Sequence, residues 1–420
     1  MIKVSKNEIY YGFTGLLFAF TALPLYLATP VIYEGVNGLT LTTIGIILMF
    51  VRLSDAITDP IFGQIIDGSS GSNKYIKWLI PSLFIMIGSL CLLLNPPRVF
   101  ETYNAAVLWL TTLTLAVSIF SGIALLSYQS WAVSWSADPA VQSRLIALRE
   151  FFILSGVITA SMLVTLNMVK VLSLVSILLL SLVFFMLISL KKSNIKQILQ
   201  PKSEKRSWRK ILVSSNILLY FIFLVNALAN AIPALLFIFF FRDILKLDNS
   251  QGGILLAIYF LFSAIGIPVW KIFISRYGTM PTWCVSIAFS VVFFSFTYFL
   301  SEGDFVGFLV ICMLTGFLLG AELICPPSIL SNLITNSNHR GEMEASYFSI
   351  WNLCNKLSLA IASGTVLPLL NVFGYSSVNE GSENGLFWLQ FFYAGIPCII
   401  KITSLILIIL FIKNREDLLP

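Results

Sequence analysis

The chain reads as a succession of apolar runs, each closed by a short polar break. Twelve runs can be drawn, at roughly 10–33, 40–66, 76–95, 103–133, 144–166, 170–190, 211–241, 251–275, 280–300, 305–335, 342–373 and 386–412. A helix needs about 20 apolar residues to cross a bilayer, and these runs are of that length or longer. Backbone polar groups inside hydrocarbon must be satisfied within the segment, so the expected fold is all-α, with twelve transmembrane helices. The first run follows a short tail bearing Lys3 and Lys6. It is longer than a signal-peptide core and has no clear cleavage site, so it is expected to remain as a span.

Composition closes off most other classes. Hydrophobic residues make up 58% of the 420 and charged residues only 11%, against roughly 25% charged in an average soluble protein. Twelve spans use roughly 250 residues, which leaves about 13 for each loop or tail. No room remains for a folded domain outside the membrane. A soluble enzyme, a receptor with an ectodomain and a pump carrying its own nucleotide domain are thereby excluded. A membrane-embedded glycosyltransferase would want acids at the membrane surface and a sizeable outer loop, whereas the acids here are mid-span. A sensor that transports nothing stays open. No enzyme activity and no cofactor are expected. The six cysteines all lie in apolar runs without a CxxC pair, and His339 is the sole histidine. They read as small buried hydrophobes, not zinc ligands.

The net charge of +6 suggests nucleic acid only until its positions are read. Residues 191–210 hold eight of the 26 Lys and Arg and one acid. A basic segment between two apolar halves is a cytoplasmic loop facing anionic lipid, so no nucleic-acid partner is expected. With this loop included, the tails and even-to-odd loops carry eighteen Lys and Arg, and the opposite loops carry four. The positive-inside rule then puts both termini in the cytoplasm of a multi-pass inner-membrane protein.

A faint repeat recurs about 208 residues apart. Ala22-Leu23-Pro24 in the first run resembles Ala231-Ile232-Pro233 in the seventh, and Gly45-Ile46-Ile47-Leu48 resembles Gly253-Ile254-Leu255-Leu256. The pattern fits two pseudo-symmetric six-helix halves, the plan of the major facilitator fold. The expected division is an N-terminal bundle over 1–190, a basic linker over 191–210 and a C-terminal bundle over 211–420.

Ionisable residues inside spans are costly and default to functional candidates. The second run contains Arg52, Asp55, Thr58 and Asp59. Asp55 and Asp59 are four apart and share a helix face, with Arg52 one turn earlier on nearly the same face. Two carboxylates about 5 Å apart repel by roughly 3 kcal/mol at an effective dielectric of 20. The pair wants a proton, a metal cation or a basic neighbour. With oxygen ligands only, a hard cation such as Na⁺ fits, and the Thr58 hydroxyl is a candidate helper. The alternative is a buried ion-pair network with Arg52 that only ties helices together. In the fifth run, Arg149 either binds a polar substrate or balances the two acids, and Glu150 can pair with it. Lys356 in the eleventh run is either a tethered cation that competes with the coupling ion or a salt bridge across the halves. Lys401, near a span end, is expected to snorkel and serve structure. Glu322 in the tenth run either joins the ion path or bonds locally. Ser127, Tyr128, Gln129 and Trp131 in the fourth run are candidates to line a sugar site or, equally, to pack. Asn226 and Asn230 are again four apart, and polar helix–helix contact is their simplest role.

The stretch Arg52-x-x-Asp55-Ala56-x-x-Asp59-Pro60-x-x-Gly63 resembles the signature of the glycoside–pentoside–hexuronide:cation symporters. The likeness extends to Tyr11-Gly12-Phe13, to Arg144-x-x-x-x-Arg149-Glu150 and to Lys356, and so covers nearly the whole chain. It implies that Asp55 and Asp59 are the cation site, that Arg149 and Trp131 border a sugar, and that Lys356 lies near the ion. The sequence also departs from the family. Ala19 and Ser127 stand where well-known members carry sugar-binding acids, Thr58 replaces an asparagine of the cation site, and Ala124 falls near a threonine ligand. Vertebrate relatives in this broader group carry lysophospholipids. The expectation is therefore a symporter driven by Na⁺ or H⁺, acting as a monomer on a sugar or glycoside, with a lysophospholipid-like or other amphipathic solute as the alternative.

Overall fold

The computed structural model describes residues 5–33, 36–69, 71, 73–97, 102–136, 138–165, 168–192, 211–375 and 383–413. Among them the regular structure is helical, with no strand. The helices are α1 (Lys6–Tyr33), α2 (Leu41–Gly68), α3 (Lys74–Leu94), α4 (Tyr103–Trp135), α5 (Pro139–Thr165), α6 (Val169–Lys192), α7 (Ser214–Phe239), α8 (Asn249–Tyr277), α9 (Thr279–Ser295), α10 (Phe305–Asn336), α11 (Glu344–Val372), α12 (Glu383–Gln390) and α13 (Ile396–Lys413). A π-helical turn, Phe391–Gly395, joins α12 and α13 into one rod. A second extends α7 through Phe240–Ile244. Counted as rods, the described helices are twelve, matching the apolar runs. Nine are long and apolar enough to cross a membrane by length and composition. The basic segment 191–210 falls, from residue 193 on, outside the described residues.

Side-chain placement follows the solvent expected for each face. On α2, Leu53, Ile57 and Ile61 recur every four residues and are exposed, while Asp59 is 2% exposed. An apolar stripe outward and a carboxylate inward is the reverse of a soluble helix, and it is what a lipid surround selects. Gly45 and Gly253, paired by the repeat, occupy α2 and α8, and an added Cβ at either would meet nothing within 4 Å.

By packing, the chain divides into two compact units, Met1–Arg206 with Leu330–Ile350, and Ser207–Ile329 with Trp351–Pro420. In the first unit, α1 and α5 pack most closely. A Cβ on Gly12 would lie 2.9 Å from Leu148 Cβ, and one on Gly156 would lie 2.7 Å from Ala19 Cβ. Small residues at such crossings let backbones approach where lipid supplies no hydrophobic drive. Phe20, Leu25, Val51, Leu90, Leu110 and Leu172 form part of this unit's buried core. The second unit has its own core around Leu236, Phe240, Phe308, Leu370, Leu389 and Tyr393.

The α10–α11 turn belongs to the first unit and is held there by polar bonds. Asp67, fully buried near the end of α2, accepts from the backbone N–H of Ala345 at 3.1 Å and of Ser346 at 2.7 Å, and from the Ser346 hydroxyl at 2.7 Å. These are the open donors of the first turn of α11, so Asp67 acts as an N-cap supplied by a distant helix. Lys74 Nζ donates to Gly341 O at 2.8 Å, and the Tyr75 hydroxyl donates to Glu344 Oε2 at 2.7 Å. Arg340 donates to the carbonyls of Val133 and Ser134, each at 2.9 Å, which satisfies acceptors at the C-terminal end of α4. Burial lowers the Arg340 pKa, with Glu344 opposing. Gly341 has φ +86°, a conformation that favours glycine and allows the tight reversal.

Candidate functional site

In the first unit the charged candidates fall into two groups on different faces of α4. The first group is Asp55 and Asp59 on α2. A Cβ built on Gly122 of α4 would stand 2.8 Å from Asp59 Oδ1 and 3.3 Å from Asp55 Oδ1. Both carboxylates therefore converge on one point of α4, and only glycine leaves that point clear. Asp59 is buried and Asp55 half-buried, and Arg52 one turn earlier is exposed. Thr58 donates to the carbonyl of Asp55 at 3.2 Å, which leaves its oxygen lone pairs as acceptors. Gln129, buried, lies seven residues beyond Gly122 and so on nearly the same face of α4. Among the described residues no group of three or more His, Cys, Asp or Glu is placed to hold a metal ion. A carboxylate pair is suited to a proton or a hard monovalent cation more than to a closed transition-metal site.

The second group lies where α1, α4 and α5 meet. Arg149, 2% exposed, donates through Nε and Nη2 to Glu150 Oε1 at 2.9 and 2.7 Å. Glu150 thus pairs locally, and that neutralises much of the cost of burying the guanidinium. The α1–α4 contact is reciprocal: the Tyr11 hydroxyl donates to Tyr128 O at 3.0 Å, and the Tyr128 hydroxyl donates to Tyr11 O at 2.7 Å. Tyr128 also stacks on Phe18, with centroids 5.4 Å apart. Its hydroxyl is thereby occupied in joining α1 to α4. Trp131 packs edge-on to Tyr11 at 5.8 Å and to Trp135 at 5.3 Å. A Cβ on Gly15 would meet Arg149 O at 2.9 Å and the Tyr128 hydroxyl at 3.4 Å, so the absence of a side chain there lets α5 approach α1. Ser127 Oγ, Trp131 Nε1 and Arg149 Nη1 are buried with no hydrogen-bond partner among the described residues. Leaving a buried polar group unpaired costs about 1–3 kcal/mol, and more for a charge. Such atoms are therefore the ones a polar ligand would satisfy. Trp131 is nine residues from Gly122, about 180° around α4, so the aromatic group and the acid pair use opposite faces of the same helix.

In the second unit, Lys356 on α11 is half-buried. The expectation that Lys401 snorkels is not met. Lys401 is 7% exposed and forms an ion pair with Glu322. Position explains the difference: Lys401 is on the second turn of α13, well inside the rod that begins at Glu383, so its ammonium turns to a buried carboxylate. Glu322 Oε2 also accepts from Asn230 at 2.7 Å and Asn226 at 3.2 Å. Glu322 thus bonds within its own unit. The Lys401 partner was not evident from sequence because the two residues are 79 apart, on separate helices. Asp67 is likewise not singled out by the sequence, although an aspartate directly before the glycine that ends an apolar run, with Lys74 seven residues on, is a signal for it.

The fold is shared with solved transporters. A crystal structure of a bacterial homologue of the iron transporter ferroportin, in an outward-facing state, matches with a TM-score of 0.74 at 15% identity, covering 97% of this chain and 99% of that one. A second crystal structure of such a homologue, also outward-facing and with soaked iron, matches with a TM-score of 0.69 at 15% identity and the same coverage. At that identity the likeness concerns the fold alone. No curated protein matches the sequence. The family profile described as MFS/sugar transport protein matches residues 10–414, nearly the whole chain, and the protein therefore belongs to that family, within the major facilitator superfamily.

Proposed function

We propose that this transporter is a cation-coupled symporter of a sugar or glycoside, of the glycoside–pentoside–hexuronide:cation type. One observation carries the reading: Asp55 and Asp59 converge on the bare backbone of Gly122. Two like charges held together in a membrane helix need a positive charge between them, and that requirement couples the site to a Na⁺ or H⁺ gradient. Thr58 supplies a further oxygen. Arg52, one turn before Asp55 on α2, balances the acids. Arg149, Trp131 and Ser127 offer the unpaired donors and acceptor that sugar hydroxyls satisfy, with the Tyr128 ring next to them, while Gln129 offers its amide on the acid-pair face of α4. Arg149 stays bound to Glu150 as it does so. Cation loading raises sugar affinity, and only the doubly loaded or empty carrier rocks between its two open states. The protein works as a monomer in the inner membrane with both termini in the cytoplasm.

A second substrate class has one observation in its favour. Ala19 and Ser127 stand where sugar-binding acids would be, which fits a lysophospholipid-like or other amphipathic solute better than melibiose-like recognition. The deciding experiment is a substrate panel of sugars, glycosides and lysolipids in proteoliposomes with imposed Na⁺ or H⁺ gradients. Gradient-driven uptake of a sugar is expected, falling at least about 100-fold in Asp59→Cys. Uptake that ignores the gradient, or an unaffected Asp59→Cys protein, overturns the coupling. Uptake of lysolipid alone moves the substrate to the second class.

A further inference from the structure

The second unit contains a cavity of about 140 Å³, lined by none of the residues proposed above to bind the cation or the sugar. Its walls are Pro233 and Phe237 of α7, Phe294 of α9, Phe308 of α10 and Tyr393 of the π-helical turn. One end is polar. There Glu322 and Lys401 form their ion pair, and the Asn230 amide donates to Glu322 at 2.7 Å. Tyr393 is set in place by a backbone irregularity. The π-turn Phe391–Gly395 rotates it against Phe240, with ring centroids 4.0 Å apart and planes 9° from parallel. Single π-turns inside helices recur at functional sites.

The chemistry of the lining selects a ligand class. The apolar walls combine aromatic rings and proline with aliphatic Leu256, Val291, Ile311 and Leu319, and the rings among them favour a flat aromatic ligand. The volume is close to that of a benzene-binding cavity, about 150 Å³. The charges at the polar end already cancel. A charged ligand would be buried without a counter-charge, at a cost of several kcal/mol. Lys401 uses two of its three N–H donors, on Glu322 Oε1 and on Asn226 Oδ1 at 3.4 Å, and one remains. We propose that this cavity is a binding site for a small neutral amphiphile, one ring bearing a hydroxyl, with the ring among Phe237, Phe294 and Phe308 and the hydroxyl oxygen accepting from Lys401. The site is independent of the sugar–cation reading, because it shares no residue with it.

Cys398 and Cys312 also line the cavity and report on its occupancy. The intact protein in nanodiscs is treated with N-ethylmaleimide, and modification of each cysteine is followed by peptide mass spectrometry with p-cresol as the probe. The expected result is slower labelling of Cys398, half-protected at about 1 mM p-cresol, an affinity reachable by a ligand this small. The charged analogue 4-methylbenzoate should not protect. Ala234→Phe, which adds a ring at a lining position, should abolish protection. The double variant Glu322→Gln/Lys401→Met, which keeps the pair neutral, should weaken it about ten-fold by removing one hydrogen bond. The proposal is overturned if Cys398 labels equally with and without p-cresol, or stays unlabelled throughout. It is also overturned if 4-methylbenzoate protects as well, or if protection survives in a monodisperse Ala234→Phe protein, since solvation of the probe by lipid would then account for the effect.

Discussion

Gly122 has no side chain and yet defines the acid pair more sharply than any residue beside it. Its bare Cα leaves the space into which Asp55 and Asp59 both project. A methyl group there would stand 2.8 Å from Asp59 Oδ1, inside van der Waals contact. In Gly122→Ala one carboxylate must swing away, which separates the charges and removes the reason to hold a cation. Uptake driven by a cation gradient is expected to need at least about ten-fold more cation for half-maximal rate, with a smaller change in substrate affinity, because Trp131 lies on the opposite face of α4 and Arg149 is on α5. Cation titration of initial uptake rates checks this, and an unchanged half-maximal cation concentration contradicts it. The acids could be read from sequence because charge inside an apolar run is conspicuous and four-residue spacing fixes a shared face. Gly122 could not, because a glycine in a transmembrane helix ordinarily marks close packing and nothing local ties it to α2. The same limit hid the Lys401–Glu322 pair, whose members looked like two isolated charges until α10 and α13 were brought together.

At the level of the elements, the first turn of α11 is held from outside its own sequence. A helix begins with four unpaired N–H groups, and an N-cap residue normally precedes them in the chain. Here Asp67 from α2 takes two of them, with the Ser346 hydroxyl in addition. Asp67→Ala leaves those donors buried and unpaired, and is expected to destabilise the first turn of α11 by about 2 kcal/mol, at the upper end for a lost N-cap. Amide hydrogen exchange at residues 344–348 should quicken accordingly, while the midpoint of α11 changes little. Equal protection in the variant would contradict the cap. The helices themselves were legible from period and length, because bilayer thickness dictates both. Their caps were not, because a cap supplied by another helix leaves no short-range pattern. The two π-turns were equally silent in sequence, since Phe240–Ile244 and Phe391–Gly395 read as ordinary apolar helix.

At the scale of the whole molecule, the major facilitator fold follows from very little: twelve apolar runs, a basic break near the middle and a weak repeat. The sugar and the coupling ion depend on a few side chains, and composition does not reach them. One feature of the chain's division also bears on how the protein is made. The first unit draws on residues 330–350, which the ribosome delivers only after the intervening helices of the second unit. Neither unit is a continuous stretch of polypeptide. The N-terminal helices must therefore wait in the membrane, with Asp67 and the α4 carbonyls of Val133 and Ser134 lacking their partners, until translation is four-fifths complete. A fragment ending at residue 210 is expected to be cleared by membrane proteases when expressed alone, and to persist when residues 211–420 are supplied as a second chain. Pulse-chase turnover of the tagged fragment measures this, and equal half-lives in the two conditions would show that the turn is dispensable for maturation.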